Sequence, residues 1–238
     1  MFQFKDSRPA ARIQQNLLAQ SERRLLTWLC GRMPSWVTPD LLTTLGMIGA
    51  AIIFFGYAAS GFEPAWLWLA IGGYVVQWFG DSMDGSLARF RKIERPSYGY
   101  FIDHSCDGFA TLLIMAGMGL SPYVRFDIAL IALVGYLLMA IHAFLLAKVV
   151  NKLRLSYANF GPTELRLVLI AVTLGMIALG PQPGLFGAIS GFDILIGGAG
   201  ALLIGLFVVE TLVTARRLAK QEPSRPSRAF VSTTRVSG

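Results

Sequence analysis

Six long apolar runs recur along this sequence and limit what it can fold into more than any other feature. They cover residues 41–60, 65–80, 100–120, 128–150, 165–180 and 194–215. A helix that crosses a bilayer needs about 20 predominantly apolar residues, and it satisfies its own backbone hydrogen bonds. Only 15% of the residues are charged, compared with about 25% in soluble domains. We therefore predict an all-α integral membrane protein with six transmembrane helices.

The basic residues predict how these helices are oriented. The segments before the first run, between the second and third, between the fourth and fifth, and after the sixth hold 20 of the 21 Lys and Arg residues, counted with the flanking ends of the runs. The opposite loops hold only Arg125. The positive-inside rule then places both termini in the cytoplasm, and we assign the chain to a bacterial inner membrane. The net charge of +7 reflects topology and attraction to anionic lipid, so we expect no nucleic-acid partner.

The composition divides the chain into four segments. Residues 1–9 and the Pro-, Ser- and Arg-rich residues 218–238 are predicted to be disordered. Residues 10–33 are predicted to form an amphipathic juxtamembrane helix in the plane of the cytoplasmic membrane surface. Residues 34–217 are predicted to form the six-helix transmembrane domain.

Individual residues add detail to this organisation. In the juxtamembrane helix, Leu25 and Trp28 belong to the predicted apolar face and Glu22 to the polar face. Pro39 is predicted to set the start of the first span. The two cysteines, Cys30 and Cys106, lie on the reducing side of the predicted topology, so we expect no disulfide.

Small residues recur every fourth position on the sixth run, at Gly197, Ala201 and Gly205. This spacing permits close approach of two helices. The approach would take place either within one bundle or between the subunits of a homodimer, and packing within one subunit is the simpler interpretation.

Four aspartates interrupt the inner ends of the second and third runs: Asp81, Asp84, Asp103 and Asp107. Each would cost roughly 2.5–3.5 kcal/mol at the middle of a membrane. Spacings of three and four residues place each pair on one helical face, and a loop of about residues 90–97 would bring both pairs to a similar depth. Single aspartates often cap helices or pair with arginines, but four in this register indicate a site for one or two divalent cations. Magnesium or manganese is expected, and calcium also accepts such ligands.

The same residues carry a resemblance to a known family. The patterns D-x-x-D-G-x-x-A-R and G-x-x-x-D-x-x-x-D resemble the signature of the CDP-alcohol phosphotransferases, which are integral membrane enzymes of phospholipid synthesis. Here the fixed positions are Asp81, Asp84, Gly85, Ala88, Arg89, Gly99, Asp103 and Asp107. The gap between the two patterns is nine residues, where the family has eight. The stretch "TPDLLTTLG" also resembles the family's entry to the first span, so the likeness covers about residues 10–217.

The resemblance implies transfer of a phosphate-containing group from a CDP-linked donor to an alcohol, with release of CMP. It implies that the four aspartates hold Mg²⁺ or Mn²⁺, with two ions expected, and that Asp107 also accepts the proton of the attacking hydroxyl. It further implies a phosphate-binding role for Arg89. Other residues are implied to contact the nucleotide or its phosphates, or to leave room for the cytidine: Asp40, Thr43, Gly85, Ala88 and Ser97.

The substrates stay open at this stage. A CDP-diacylglycerol donor with a small polar acceptor is the leading interpretation, and membrane lipid is then a partner. The stretch "FIDHSCD" also resembles the choline and ethanolamine phosphotransferases, which act on diacylglycerol. Leu165 stands where family members that use inositol phosphate tend to carry Arg, which argues against that acceptor.

Two other classes of function compete with the enzyme. A divalent cation transporter would need polar residues along its whole path, whereas the acids here cluster near the inner face. A membrane scaffold explains neither the carboxylates nor the glycines. His104 is expected to pack or to hydrogen-bond rather than to bind metal, and no role is assigned to His142.

Overall fold

Helices make up most of the described part of the chain. A computed structural model describes residues 11–13, 19–150, 152–154, 161–182 and 189–221. The elements in chain order are β1 (Ala11–Ile13), α1 (Ala19–Cys30), α2 (Pro39–Ala59), α3 (Trp66–Arg91), α4 (Pro96–Leu120), α5 (Phe126–Val150), β2 (Lys152–Arg154), α6 (Pro162–Leu179) and α7 (Gly191–Gln221). The six predicted apolar runs fall, one each, on α2 to α7.

Four of these helices are long and apolar enough to cross a membrane. They are α2, α5, α6 and α7. The polar side chains of α3 and α4 lower the hydropathy of these two helices, because Gln77 and the four aspartates lie on them. The chain therefore has the character of a helical membrane protein, and the crossing of the bilayer by α3 and α4 stays a prediction.

The N-terminal segment differs from the helix predicted over residues 10–33. Helix α1 is described from Ala19 to Cys30, and Ala11–Ile13 instead pairs in parallel with Lys152–Arg154. Backbone hydrogen bonds to a segment distant in sequence thus override the local helical periodicity. At the other end, α7 continues to Gln221, beyond the predicted start of the tail at residue 218. The segments 1–9 and 222–238 lie outside the described residues.

The polar face predicted for α1 is wrong at Glu22. This carboxylate turns towards the bundle, where its Oε1 accepts hydrogen bonds from Nε1 of Trp78 at 2.9 Å and Oγ1 of Thr163 at 2.7 Å. Leu25 and Trp28, which were assigned to the apolar face, are about half exposed. The Glu22 side chain of α1 therefore joins α1 to α3 and to α6 through these two hydrogen bonds.

Helices α2 and α3 pack closely enough that only glycine fits at several contacts. Helix α2 starts at Pro39 as predicted, and Oγ1 of the preceding Thr38 accepts a hydrogen bond from N of Leu41 at 3.2 Å. A Cβ on Gly49 would lie 2.5 Å from the backbone N of Gln77. This approach sets α2 directly beside the half of α3 that leads to the aspartates.

A buried hydroxyl network ties α6 to this pair. Oη of Tyr57 lies 2.6 Å from Oγ1 of Thr173 and 3.2 Å from Oη of Tyr74, and all three side chains are inaccessible to solvent. Because polar groups inside a bundle are costly unless they are hydrogen-bonded, this network fixes α2, α3 and α6 relative to one another.

Helices α5 and α7 form a second close contact. A Cβ on Gly135 would lie 2.6 Å from O of Gly200, so the two backbones meet there. The predicted stripe is correct only in part. A Cβ on Gly197 would lie 3.0 Å from Cγ2 of Ile128, whereas a Cβ on Gly205 would meet nothing within 4 Å. The close approach is therefore centred on Gly200, which the four-residue spacing did not include.

Candidate metal centre

The aspartates lie on consecutive helices that are joined by a short turn. Helix α3 ends at Arg91, and Lys92 adopts a left-handed backbone conformation with φ 57°. Helix α4 begins at Pro96. The connection is shorter than the predicted loop of residues 90–97, because both helices extend into that range.

A narrow cavity lies between α2, α3 and α4 at the level of the aspartates. Its volume is about 10 Å³, which is close to the space that one water molecule needs. Its lining combines carboxylates with small and apolar groups: Thr43, Gly46, Met47, Gln77, Asp81, Asp103, Cys106, Asp107 and Ala110. Three of the four predicted aspartates therefore face one space, which has room for a small ion but not for a nucleotide.

The fourth aspartate, Asp84, is held at the edge of this group. Its Oδ2 accepts a hydrogen bond from Oγ1 of Thr43 at 2.6 Å. It interacts electrostatically with Asp81 and Asp103. Thr43, which was predicted to contact the nucleotide, thus orients a carboxylate in this structure.

Asp103, His104 and Asp107 form a group that could hold a metal ion. One potential ligand atom from each of these three residues lies within 4.8 Å of the others. The ring of His104 also stacks on Phe144, with centroids 4.9 Å apart and an interplanar angle of 17°, and it lies 4.2 Å from the ring of Tyr100. These ring contacts agree with the packing role predicted for His104, although its Nδ1 also lies 3.2 Å from Oδ2 of Asp103.

Arg166 is a member of the site that the sequence reasoning missed. Its Nη2 donates a hydrogen bond to Oδ2 of Asp81 at 2.5 Å, and its Nε donates to Oε1 of Gln77 at 2.5 Å. Arg166 is 9% exposed. It is also the single charged residue in the run of residues 165–180, and an ionisable residue within a spanning segment is a functional candidate by default. That signal could have identified it.

The predicted phosphate-binding residue lies on the surface of α3 beside the aspartates. Arg89 is exposed, and its Nη2 lies 3.3 Å from Oγ of Ser86. A Cβ on Gly85 would lie 3.2 Å from Nη1 of Arg89. The guanidinium therefore folds back over Gly85, and the half-buried Ala88 lies on the same helix.

Two further predicted nucleotide contacts, Asp40 and Ser97, lie beside the turn that joins α3 to α4. Asp40 is exposed in the first turn of α2 and pairs with Arg95 in the turn between α3 and α4. The guanidinium of Arg95 lies 4.0 Å from the centroid of the Tyr98 ring. Ser97 is exposed in the first turn of α4. The structure brings Asp40 and Ser97 to the same end of the bundle, but it does not place them on the cavity.

The two cysteines are free, as predicted. Cys30 is buried in α1, and burial raises the pKa of its thiol. Cys106 lines the cavity between the acidic residues of α4. No disulfide competes with the carboxylates for this region.

The arrangement defines a helical membrane protein with an acidic site between three helices. The description of the family model that matches the chain is CDP-alcohol phosphatidyltransferase, and the match covers residues 36–213. The chain belongs to the CDP-alcohol phosphatidyltransferase family. The matched residues include α2 to α6 and most of α7, so they contain every aspartate of the site.

The chain is also similar to named relatives. It is 30% identical over 97 residues to cholinephosphotransferase 1 of Danio rerio, which is 38% of this chain and 25% of the relative. It is 38% identical over 85 residues to phosphatidylinositol phosphate synthase of Cutibacterium acnes, which is 35% of this chain and 38% of the relative. It is 29% identical over 102 residues to human cholinephosphotransferase 1, which is 40% of this chain and 25% of the relative. The chain thus spans well under half the length of these relatives.

Proposed function

We propose that this protein transfers a substituted phosphate group from a CDP-linked donor to an alcohol and releases CMP, as a step of phospholipid synthesis. The observation that carries the proposal is the cavity into which α3 and α4 together direct Asp81, Asp103 and Asp107. Membership of the family favours this reaction over cation transport, which nothing in the described residues supports.

The donor set of the cavity fits Mg²⁺ or Mn²⁺. Carboxylate oxygens are the ligands that hard divalent cations prefer, and oxygens of Asp103 and Asp107 lie within 4.8 Å of each other. We propose that two ions are held by Asp81, Asp84, Asp103 and Asp107. Bound in this way, divalent ions neutralise the charge of the pyrophosphate and of the departing phosphate.

The chain's own residues supply the proton acceptor. We assign this role to Asp107, because its carboxylate lines the cavity and interacts with the three other aspartates. The acceptor hydroxyl oxygen forms a bond to the donor phosphorus while its proton passes to Asp107. The bond between that phosphorus and the CMP oxygen breaks, and CMP leaves with the electron pair.

The nucleotide itself must lie outside the cavity, because a volume of about 10 Å³ does not admit it. The exposed surface of α3 next to the aspartates offers a place for it, where Gly85 has no side chain and Arg89 supplies a guanidinium fork suited to phosphate. Further proposed contacts with the nucleotide at this end of the bundle are Asp40, Ala88 and Ser97. Thr43 lines the cavity instead, and we propose that it acts there through Asp84.

The choice of substrates divides into two candidates. We favour CDP-diacylglycerol as the donor, with a small polar alcohol as the acceptor. The similarity to cholinephosphotransferase 1 supports the alternative, in which a CDP-alcohol reacts with diacylglycerol. Since one relative is a phosphatidylinositol phosphate synthase, inositol phosphate stays among the acceptors to be tested, despite Leu165.

The same proposal includes the membrane arrangement. All six helices from α2 to α7 cross the bilayer, α1 lies along the cytoplasmic surface, and both termini are cytoplasmic. The positive-inside distribution of Lys and Arg supports this orientation. The relatives include a bacterial protein and animal proteins, so a bacterial inner membrane stays a prediction.

The reaction is tested with Asp107→Asn. Purified protein in detergent is given CDP-diacylglycerol, Mg²⁺ and a mixture of candidate acceptors, and CMP release is measured. Loss of the proton acceptor is expected to lower the rate by about 10²-fold or more. Asp127→Asn is the matched control, because Asp127 is exposed and pairs with Arg125.

Wild-type rates in Asp107→Asn would remove the assignment of the proton acceptor. Absence of CMP release by the wild-type protein with both CDP-diacylglycerol and CDP-choline plus diacylglycerol would contradict the proposed reaction. The lipid product, identified by mass spectrometry with serine, glycerol 3-phosphate, inositol phosphate and ethanolamine in turn, decides between the acceptors.

A further inference from the structure

We propose that Arg166 is a positioning residue that holds Asp81 in the orientation in which this aspartate binds metal. The inference rests on the proposed function, because it takes Asp81 as a ligand. It concerns a residue of α6, which lies outside the two helices that carry the acidic signature.

The contacts of Arg166 fix its guanidinium in one orientation. Nε donates to Oε1 of Gln77 and Nη2 donates to Oδ2 of Asp81, both at 2.5 Å. Gln77 is 5% exposed and lies one helical turn before Asp81 on α3. Two consecutive turns of α3 therefore hold the guanidinium. Among the described residues no hydrogen bond engages Oδ1 of Asp81, which leaves that oxygen for a cation.

The start of α6 fixes the other end of this arrangement. Pro162 is the first residue of α6, and Oε2 of Glu164 accepts a hydrogen bond from N of Gly161 at 3.0 Å. Thr163 is bound to Glu22 of α1. Arg166 thus extends from a helix start that is capped by its own Glu164 and hydrogen-bonded to α1 through Thr163.

A purely electrostatic role would make a different prediction. A cation that only offsets the negative charge, or that occupies the place of a metal ion, needs no particular shape. A positioning role needs the planar fork, because one group must donate to Gln77 and to Asp81 at the same time. Lysine keeps the charge but lacks the fork, so Arg166→Lys separates the two roles.

The test measures Mn²⁺ binding directly by electron paramagnetic resonance on the purified protein in detergent, without substrate. Residues that orient metal ligands typically contribute 10–100-fold to metal affinity, so we expect Arg166→Lys to weaken Mn²⁺ binding by about tenfold. Arg125→Lys is the matched control, because Arg125 makes an exposed two-point pair with Asp127. It is expected to bind Mn²⁺ as the wild type does.

A second variant keeps the test decisive if Arg166→Lys does not fold. Gln77→Met removes the partner of Nε and leaves Arg166 in place, and it is expected to weaken Mn²⁺ binding in the same direction. Unchanged or tighter Mn²⁺ binding in folded Arg166→Lys would overturn the positioning role. If Arg166→Lys does not fold, unchanged binding in Gln77→Met overturns it instead. Failure of the wild type to bind Mn²⁺, or binding that Asp103→Asn does not weaken, would instead contradict the proposed metal site itself.

Discussion

The close contact between α2 and α3 leads to a prediction in which two similar substitutions have opposite effects. Gly49 of α2 and Gly72 of α3 are both helical glycines. A Cβ on Gly49 would lie 2.5 Å from N and 2.7 Å from Cα of Gln77, whereas a Cβ on Gly72 would meet nothing within 4 Å. The substitutions Gly49→Ala and Gly72→Ala therefore add the same methyl group to a closed and to an open position.

The magnitudes follow from these distances. Carbon atoms in contact stand about 3.5–4.0 Å apart, so Gly49→Ala must separate the two backbones by about 1 Å. Overpacking of this kind costs about 1–3 kcal/mol, and backbone atoms on the facing side favour the upper part of that range. The gain in helix propensity offsets about 1 kcal/mol. We expect a net loss of about 1–2 kcal/mol for Gly49→Ala and a gain of up to about 1 kcal/mol for Gly72→Ala.

Thermal unfolding in detergent measures both changes in stability, since 1 kcal/mol corresponds to about 2–4 °C in Tm for a chain of this size. The second readout is CMP release, because a displacement of about 1 Å at a reacting site can cost about 10²-fold. A Tm for Gly49→Ala equal to or above that of the wild type would refute the packing argument. So would equal losses of activity in both variants.

Two further predictions concern single side chains. Thr43→Val removes the hydrogen bond to Asp84 and is expected to raise the half-saturating Mg²⁺ concentration about tenfold. Thr44→Val is the control because Thr44 Oγ1 bonds only the backbone O of Asp40 in the described contacts. Equal Mg²⁺ requirements in the two variants would contradict the orienting role. Cys30 is expected to resist alkylation at pH 7 in the folded protein, because burial raises its thiol pKa and so reduces the thiolate, and to react after denaturation in SDS. Equal labelling before and after denaturation would show that it is accessible.

The sequence was sufficient for features that depend on local pattern. Apolar runs predicted where the helices α2 to α7 lie, because a spanning helix needs about 20 predominantly apolar residues. The spacings of Asp81 and Asp84 and of Asp103 and Asp107 predicted that all four carboxylates would face one site, since residues three or four apart share a helical face. Asp84 departs from this expectation, because it bonds Thr43 and does not line the cavity. Pro39 predicted the start of α2 for a reason that is equally local.

The features that were missed depend on contacts between distant segments. Glu22 has the residue type of a solvent-exposed face, and only the arrival of Trp78 and Thr163 explains why it turns inward. Arg166 finds Asp81 across a helix interface that no local pattern specifies. The strand at Ala11–Ile13 exists because a distant segment pairs with it. Tertiary contacts of this kind decide the orientation of a polar side chain after the helices themselves have been fixed.

Diffraction from crystals loaded with Mn²⁺, recorded at a wavelength where manganese scatters anomalously, tests the shared metal site most directly. We expect anomalous peaks within coordination distance of carboxylates from both α3 and α4, in the cavity lined by Asp81, Asp103 and Asp107. Crystals that bind Mn²⁺ only elsewhere, or through the carboxylates of one helix alone, would contradict a metal site shared by the two helices.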